Sequence, residues 1–109
     1  MPLFADTFFY LALLNKRDAN HVKALAFSEV TQDIIITTSW VLTEIGDKMS
    51  APPARGKFIT FIGEILKDKL TRVLPAEQRL FDLGFKLYLE RPDKAWSLTD
   101  CISFAVMKF

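Results

Sequence analysis

The sequence predicts an α/β fold in which a short parallel sheet is covered by helices on both faces, giving three layers. Short, largely apolar runs occur at Leu3-Phe4-Ala5, Ile34-Ile35-Ile36 and Arg72-Val73-Leu74, and longer segments of helical periodicity separate them. Strands that alternate with helices are typical of βαβ units, which build parallel sheets. Strands without a polar side are expected where both faces of the sheet are buried.

The first two predicted helices lie between the first and second strands. Residues 8–14 have helical length, and the polar segment 15–18 ends them. Asp18 is the predicted N-cap of the second helix, since Asp accepts hydrogen bonds from free N–H groups at a helix start. The apolar residues of that helix recur at i, i+3, i+4 and i+8, which predicts a buried face; they are Val22, Leu25, Ala26 and Val30.

Four further helices are predicted after the second strand. The third follows the capping hydroxyls of Thr37-Thr38-Ser39, and Pro52-Pro53 ends it and starts the fourth. Pro75 ends the third strand before the fifth helix, and the turn Arg91-Pro92-Asp93 precedes a last helix that starts at Ser97. The apolar faces are Trp40, Val41, Ile45 and Met49; Phe58, Phe61, Ile62, Ile65 and Leu66; Leu80, Phe81, Leu83, Leu87 and Tyr88; and Cys101, Ile102, Ala105 and Val106.

Length and composition predict one domain over residues 1–109. Half of the 109 residues are hydrophobic and ten are Phe, enough for a core without disulfides or a structural metal. So many phenylalanines exceed what a monomer of this size buries, which favours a homodimer or a bound partner segment. The 14 basic and 13 acidic residues give a net charge of +1, which excludes nucleic-acid binding through overall positive charge. A nuclease with a local acidic site is still allowed.

Cysteine content and hydropathy exclude two further classes of protein. The lone Cys101 excludes an intrachain disulfide, and together with the lone His21 it excludes a Cys-rich zinc site. The longest apolar run, residues 8–14, is too short to span a membrane and lacks the flanks of a signal peptide. We therefore expect a cytoplasmic protein without a membrane partner.

Three carboxylates occupy positions where α/β folds place their sites. Asp6 follows the first strand, Glu44 lies about two turns (~3.6 residues each) into the helix after the second strand, and Asp100 is in the first turn of the last helix. The carboxyl ends of neighbouring parallel strands meet at one edge, so Asp6 and Glu44 can converge there. A cluster of carboxylates without His or Cys suits Mg²⁺ or Mn²⁺ rather than zinc.

Each of these acids also has a purely structural interpretation. Asp6 can cap the helix at 8–14, and Glu44 can pair with Lys48 four residues later, although it lies at the margin of the apolar face. Ser97-x-x-Asp100 has the spacing of a capping box. Composition and spacing thus suggest an acidic metal site without establishing it.

Three stretches of the chain resemble the acidic motifs of PIN-domain proteins, in family order. Residues 3–11, Leu3-Phe4-Ala5-Asp6-Thr7-Phe8-Phe9-Tyr10-Leu11, resemble the opening strand–Asp–Thr–helix, and residues 37–44, ending in Thr43-Glu44, resemble the second motif. Residues 93–104, with Trp96-Ser97-Leu98-Thr99-Asp100-Cys101 at their centre, resemble the third. The most similar branch is that of the VapC-like toxin ribonucleases of toxin–antitoxin pairs.

This resemblance implies a metal-dependent endoribonuclease in which Asp6, Glu44 and Asp100 hold Mg²⁺ or Mn²⁺ and act on RNA. Thr7 and Thr99 would orient the carboxylates or a ligand water. The family also implies an antitoxin partner and a homodimer. Its pattern continues into a further strand with a fourth acidic residue, for which no position up to Phe109 is a match, so we expect the C-terminal strand to be missing.

The departure from the pattern leaves other functions open. One is a catalytically impaired PIN-like remnant that serves as a dimerisation or antitoxin-binding module; another is a PIN nuclease that acts on structured DNA or in RNA maturation. Four residues other than the acids and threonines are given structural roles: His21 as a polar helix residue, and Cys101, Trp40 and Trp96 as core, with stacking on an RNA base as a minor alternative for the two tryptophans. A basic middle segment is predicted to be solvated, with some side chains near RNA phosphates: Lys48, Arg55, Lys57, Lys67, Lys69, Arg72 and Arg79.

Overall fold

The computed structural model describes residues 2–108, within which the chain forms three strands and six helices. In chain order these are β1 (Leu3–Phe4), α1 (Thr7–Leu14), α2 (His21–Val30), β2 (Ile35–Thr38), α3 (Ser39–Lys48), α4 (Ala54–Lys67), β3 (Thr71–Leu74), α5 (Gln78–Glu90) and α6 (Leu98–Met107). None of these helices is long and apolar enough to cross a membrane.

The strands form one parallel sheet, as predicted, and their order in it is β1-β2-β3. Leu3 lies opposite Ile35, and Ile35 lies opposite Thr71. Because all three strands run in the same direction, their carboxyl ends share one edge of the sheet, where the first acidic motif begins. No strand follows α6 within residues 2–108; Phe109, at which the family pattern was expected to stop short, lies outside the described residues.

Helices cover both faces of the sheet, which confirms the predicted three-layer α/β/α arrangement. On one face, α1, α3 and α4 bury a cluster that includes Tyr10, Val41, Ile45 and Phe61 against Ile35 and Val73. On the other face, α5 and α6 bury Leu80, Ile102 and Val106 against Ile36 and Leu74. Alternate residues of β2 and β3 therefore serve opposite layers, as the two-residue period of a strand requires.

The second strand begins and ends later than the sequence predicts. It covers Ile35–Thr38 rather than 34–36, so Thr37 and Thr38 are fully buried strand residues. Of the three expected capping residues, Thr38 acts as the N-cap: its hydroxyl accepts a hydrogen bond of 3.2 Å from the N–H of Val41, and Ser39 is already helical. Threonine is β-branched and fits a strand as well as a cap, which explains the shifted boundary.

The prediction for α2 is wrong in its cap and in its buried face. Asn20, not Asp18, is at the N-cap; the Asp18 carboxylate instead accepts a hydrogen bond of 2.8 Å from the N–H of Asn20. Val22 and Val30 are 77% and 75% exposed, and Ala24 is the buried residue of the helix. The Phe9–Phe27 ring contact joins α2 to α1, so a tertiary contact rather than the apolar periodicity sets the rotation of the helix.

Helices α5 and α6 approach each other very closely at Gly84. A Cβ atom at this position would lie 2.7 Å from the Cα and 2.8 Å from the backbone nitrogen of Ile102. Such separations are shorter than van der Waals contact, and the atoms in the way are backbone atoms that cannot rotate aside. The close packing of α5 on α6 therefore requires glycine at position 84.

We expect Gly84→Ala to lower the free energy of unfolding by ~1–3 kcal/mol, because the added methyl group overpacks the α5–α6 contact. Gly63→Ala is the matched control: Gly63 is also inside a helix, but a Cβ there meets no atom within 4 Å. That variant should gain ~0.5–1 kcal/mol from helix propensity. Urea unfolding of both variants provides the measurement, and equal stability of the two would contradict the packing argument.

The first core layer contains a buried hydroxyl without a hydrogen-bond partner. The Tyr10 side chain is 2% exposed, and its ring packs edge-on against Phe9 and Phe61. No described residue pairs with its hydroxyl. Burial, with a smaller contribution from the charge of Asp68, raises the pKa of Tyr10 from 10.0 to about 12.

We expect Tyr10→Phe to raise the free energy of unfolding at neutral pH by up to ~1 kcal/mol, because a buried unsatisfied hydroxyl is removed. The raised pKa predicts an additional effect in alkali. Below pH 10, the pKa of Tyr10 in the unfolded chain, the raised pKa has no effect on stability. The free energy of unfolding then falls as the pH rises to about 12, because only the unfolded chain releases the Tyr10 proton in this range. By pH 12 this loss is roughly 2 kcal/mol.

Urea unfolding between pH 7 and 12 measures both effects. Tyr88→Phe, at the exposed second tyrosine, is the control for general alkaline effects. A Tyr10→Phe protein whose alkaline loss equals that of the Tyr88→Phe protein would show that Tyr10 is not responsible.

Candidate functional site

Asp6 begins the candidate site at the carboxyl edge of the sheet. It is the N-cap of α1, where its Oδ1 accepts a hydrogen bond of 2.9 Å from the N–H of Phe9. The structural interpretation of Asp6 as a cap is thereby confirmed. The second carboxylate oxygen receives no hydrogen bond from the described residues. One oxygen of Asp6 is therefore used by the fold and the other is available for chemistry.

Thr7 adjoins Asp6 and is 4% exposed. Its hydroxyl is a buried polar group for which residues 2–108 provide no hydrogen-bond partner. Leaving a hydroxyl buried and unpaired is unfavourable, so such groups call for an explanation. A water or ligand oxygen at the adjoining carboxylate would satisfy it, and the predicted role of Thr7 is of this kind.

Thr37 fixes the point at which the chain leaves β1, a role that the sequence did not reveal. Its hydroxyl donates a hydrogen bond of 2.9 Å to the carbonyl oxygen of Ala5, and the N–H of Ala5 donates one of 2.9 Å to the carbonyl of Ile36. Both bonds hold the residue immediately before Asp6 against β2. The available signal was a hydroxyl directly after three consecutive isoleucines, at the end of a buried strand.

Glu44 lies on α3, the helix that packs against both α1 and α6. It is half-buried beside Val41 and Ile45, which are completely buried. The alternative prediction, an ion pair with Lys48, is not formed, and no other described residue forms an ion pair with Glu44. An acid at this depth without a cationic partner is unusual for a solvated helix surface.

Asp100 belongs to a complete capping box at the start of α6. The Ser97 hydroxyl accepts a hydrogen bond of 3.0 Å from the N–H of Asp100, and Asp100 Oδ2 accepts one of 3.0 Å from the N–H of Ser97. This confirms the structural interpretation, and again one carboxylate oxygen has no partner among the described residues. Thr99 is half-buried next to Asp100.

The three acids do not form one metal-binding group in this structure. Within residues 2–108, no three carboxylate, imidazole or thiol side chains are grouped so that they could hold a metal ion. The structure does bring the supporting elements together: Asp6 and Asp100 lie at the N-terminal ends of two helices, and the helix of Glu44 contacts both. Helix N-termini carry partial positive charge, which favours carboxylates there.

The remaining candidates divide between the core and the surface. Cys101 is buried as predicted, and burial raises the pKa of its thiol, which keeps it protonated. His21 forms a hydrogen bond of 2.8 Å from Nδ1 to the carbonyl of Ala12, so it joins α2 to α1. Trp40 packs against the second core cluster as predicted, but Trp96 lines a surface cavity instead. The seven basic residues between positions 48 and 79 are all exposed, as expected.

Known proteins resemble this chain in structure rather than in sequence. No family model and no curated protein sequence matches the chain. Among solved structures, the chain is similar to Mycobacterium tuberculosis VapC20, a toxin that cleaves the sarcin-ricin loop, with a TM-score of 0.87 and 24% sequence identity. The superposition covers 97% of this chain and 81% of VapC20. This chain therefore has the three-layer PIN-like fold of the VapC20 toxin.

Proposed function

We propose that this protein is a VapC-type toxin, an endoribonuclease that hydrolyses RNA phosphodiesters with the help of Mg²⁺ or Mn²⁺. The observation that carries the proposal is the likeness of 97% of the chain to a toxin that cleaves the sarcin-ricin loop. Asp6 and Asp100, at helix starts in that fold, add support because each retains an unpaired carboxylate oxygen. A toxin of this kind meets its RNA in the cytoplasm, so the proposal includes that location.

The chemistry of the donor set fits a hard divalent cation. Asp6, Glu44 and Asp100 offer carboxylate oxygens, the ligand type that Mg²⁺ and Mn²⁺ prefer. Like charges within ~4–6 Å repel one another, so three ionised carboxylates stay apart unless a cation offsets their charge. We propose that these side chains converge when the cation binds, which agrees with the separate caps that Asp6 and Asp100 form in the present structure.

In the proposed reaction Asp6, Thr7 and Thr99 position the groups that react. A Mg²⁺ or Mn²⁺ ion, which Asp6, Glu44 and Asp100 would hold, would supply Lewis-acid charge and would lower the pKa of a water for attack on the phosphate. Asp6 is held in position by its cap and by the Thr37–Ala5 hydrogen bond. The Thr7 hydroxyl, buried without a partner, donates to a carboxylate or water oxygen, and Thr99 has the corresponding place beside Asp100.

Exposed apolar side chains support the partner proposals, a homodimer and an antitoxin. A groove of about 600 Å³ between β1, α1 and α2 is lined by Phe8, Phe9 and Phe27, among others. Phe8 is 73% exposed, and Val22 on α2 is 77% exposed. Apolar patches of this kind mark protein–protein contacts.

A second candidate function is a catalytically impaired PIN-like module that only binds a partner. It is favoured by one observation, the lack of a three-acid metal group within residues 2–108. The two candidates differ in metal binding and in RNA cleavage, and both properties can be measured on the same preparation.

We expect the protein to cleave RNA with Mg²⁺ or Mn²⁺ and to stop when the cation is chelated. Asp6→Asn, Glu44→Gln and Asp100→Asn should each lower the rate at least ~100-fold, because loss of a metal ligand removes several kcal/mol of transition-state stabilisation. Asn is chosen at position 6 because it is also a good N-cap, so the helix start is preserved. Cleavage of labelled RNA, followed on gels, gives the rates.

Glu29→Gln is the control, since this exposed carboxylate of α2 has no part in the proposed site. Cleavage that survives both Asp6→Asn and chelation would refute the proposed mechanism. Calorimetric titration with Mn²⁺ separates the candidates further: tight binding of the antitoxin without metal binding or cleavage would establish the non-catalytic module.

A further inference from the structure

A cleft between the end of α5 and the start of α6 combines aromatic and cationic side chains. Its volume is about 520 Å³, within the ~300–1,000 Å³ range of pockets that hold small ligands. Among the residues that line it are Tyr88, Arg91, Lys94 and Trp96. We name it the Trp96 cleft.

The Trp96 ring is placed for stacking. It packs against Phe104 in a T-shaped arrangement, with ring centroids 5.0 Å apart at an interplanar angle of 74°. The Arg91 Cζ atom lies 5.4 Å and the Lys94 Nζ atom 5.7 Å from the centroid of the ring. Trp96 is half-buried, and cations over a partly solvated aromatic ring are weakly held, so a flat ligand can displace them.

The two cations of the cleft differ in whether a carboxylate pairs with them. Arg91 forms two hydrogen bonds with the Asp93 carboxylate, from Nε at 3.0 Å and from Nη2 at 2.9 Å. Lys94 has no carboxylate within ion-pair distance in the described part of the chain. The ammonium group of Lys94 is therefore the more available contact for an anionic ligand, with Arg91 positioned by Asp93 beside it.

The cleft and the candidate site are formed by neighbouring residues of the sequence. Trp96 directly precedes Ser97, whose N–H donates the 3.0 Å hydrogen bond to the Asp100 carboxylate. Cys101, the residue after Asp100, also lines the cleft, so we expect a polynucleotide bound at Asp100 to extend toward the Trp96 ring. The positive charge of the cleft also offsets the repulsion between RNA phosphates and the acids.

We propose that the Trp96 cleft binds one unpaired nucleotide of an RNA substrate, with the base stacked on Trp96 and the adjoining phosphate at Lys94 and Arg91. This inference rests on the proposed ribonuclease function and adds how the substrate is held. An aromatic face accepts any base, and a lysine accepts any phosphate. The cleft therefore selects single-stranded RNA over paired RNA, in which the bases are already stacked.

Trp96 fluorescence tests the proposal directly. Trp40→Phe leaves Trp96 as the sole tryptophan, because the chain has two. This variant, with Asp6→Asn added to prevent cleavage, is titrated with a short single-stranded RNA. We expect quenching of Trp96, binding ~5- to 100-fold weaker after Trp96→Ala when followed by labelled RNA, and a smaller loss after Trp96→Phe.

Lys94→Gln should weaken binding and reduce the slope of log affinity against log salt by about 0.7, the value for one contact to a single-strand phosphate. Lys16→Gln, an exposed lysine at the far end of α1, is the matched control and should leave both unchanged. A purely structural role of Lys94 would leave the salt slope unaltered. Thermal unfolding of each variant shows that it is folded.

The outcomes separate the cleft from the catalytic proposal. RNA that binds without quenching Trp96, or with affinity unaltered by Trp96→Phe, Trp96→Ala and Lys94→Gln, would overturn the cleft while leaving the ribonuclease proposal intact. Quenching of Trp96 by RNA, together with no RNA cleavage by the unchanged protein, would support the cleft and reject the catalysis. An oligoglutamate peptide that quenches Trp96 as strongly as RNA would overturn the assignment to RNA in favour of an acidic protein partner.

Discussion

The hydroxyl of Thr37 donates a hydrogen bond to the carbonyl of Ala5 at the point where β1 and β2 end. β1 has two residues and pairs with β2 alone among the described strands, so this side-chain bond extends a very short ladder. The chain turns into α1 directly after it, with Asp6 as the cap, and α3 starts directly after Thr38. The relative placement of α1 and α3, and with it the geometry of the candidate site, follows from this pairing.

Local patterns in the sequence predicted most of the fold. The parallel sheet, the three layers and the capping box at Ser97 and Asp100 follow from apolar runs and from residue types at fixed spacing. The rotation of α2 does not, because contacts with α1, such as the Phe9–Phe27 ring pair, outweigh the periodicity of its apolar side chains. Thr37 was misassigned because threonine is equally suited to the end of a strand and to the start of a helix.

The candidate site was predictable in its members but not in its assembly. Asp6 and Asp100 could be recognised as caps and as possible ligands from their neighbours in the sequence. Whether they meet Glu44 depends on side-chain rotation and on the balance between repulsion and a bound cation, and neither is encoded in a local pattern. Both caps use one carboxylate oxygen and leave the other unpaired, so the same side chains support the helix starts and the proposed chemistry.

The sheet also determines when the protein can fold during its synthesis. Leu3 pairs with Ile35, and Ile35 with Thr71, so β1 and β2 each pair with a strand more than thirty residues further along the chain. Pairings this distant cannot form as local hairpins during synthesis. Asp100 comes last of the three acids, after nine-tenths of the 109 residues have been made. On the proposed function, a nascent chain therefore has no ribonuclease activity until α6 has emerged and docked.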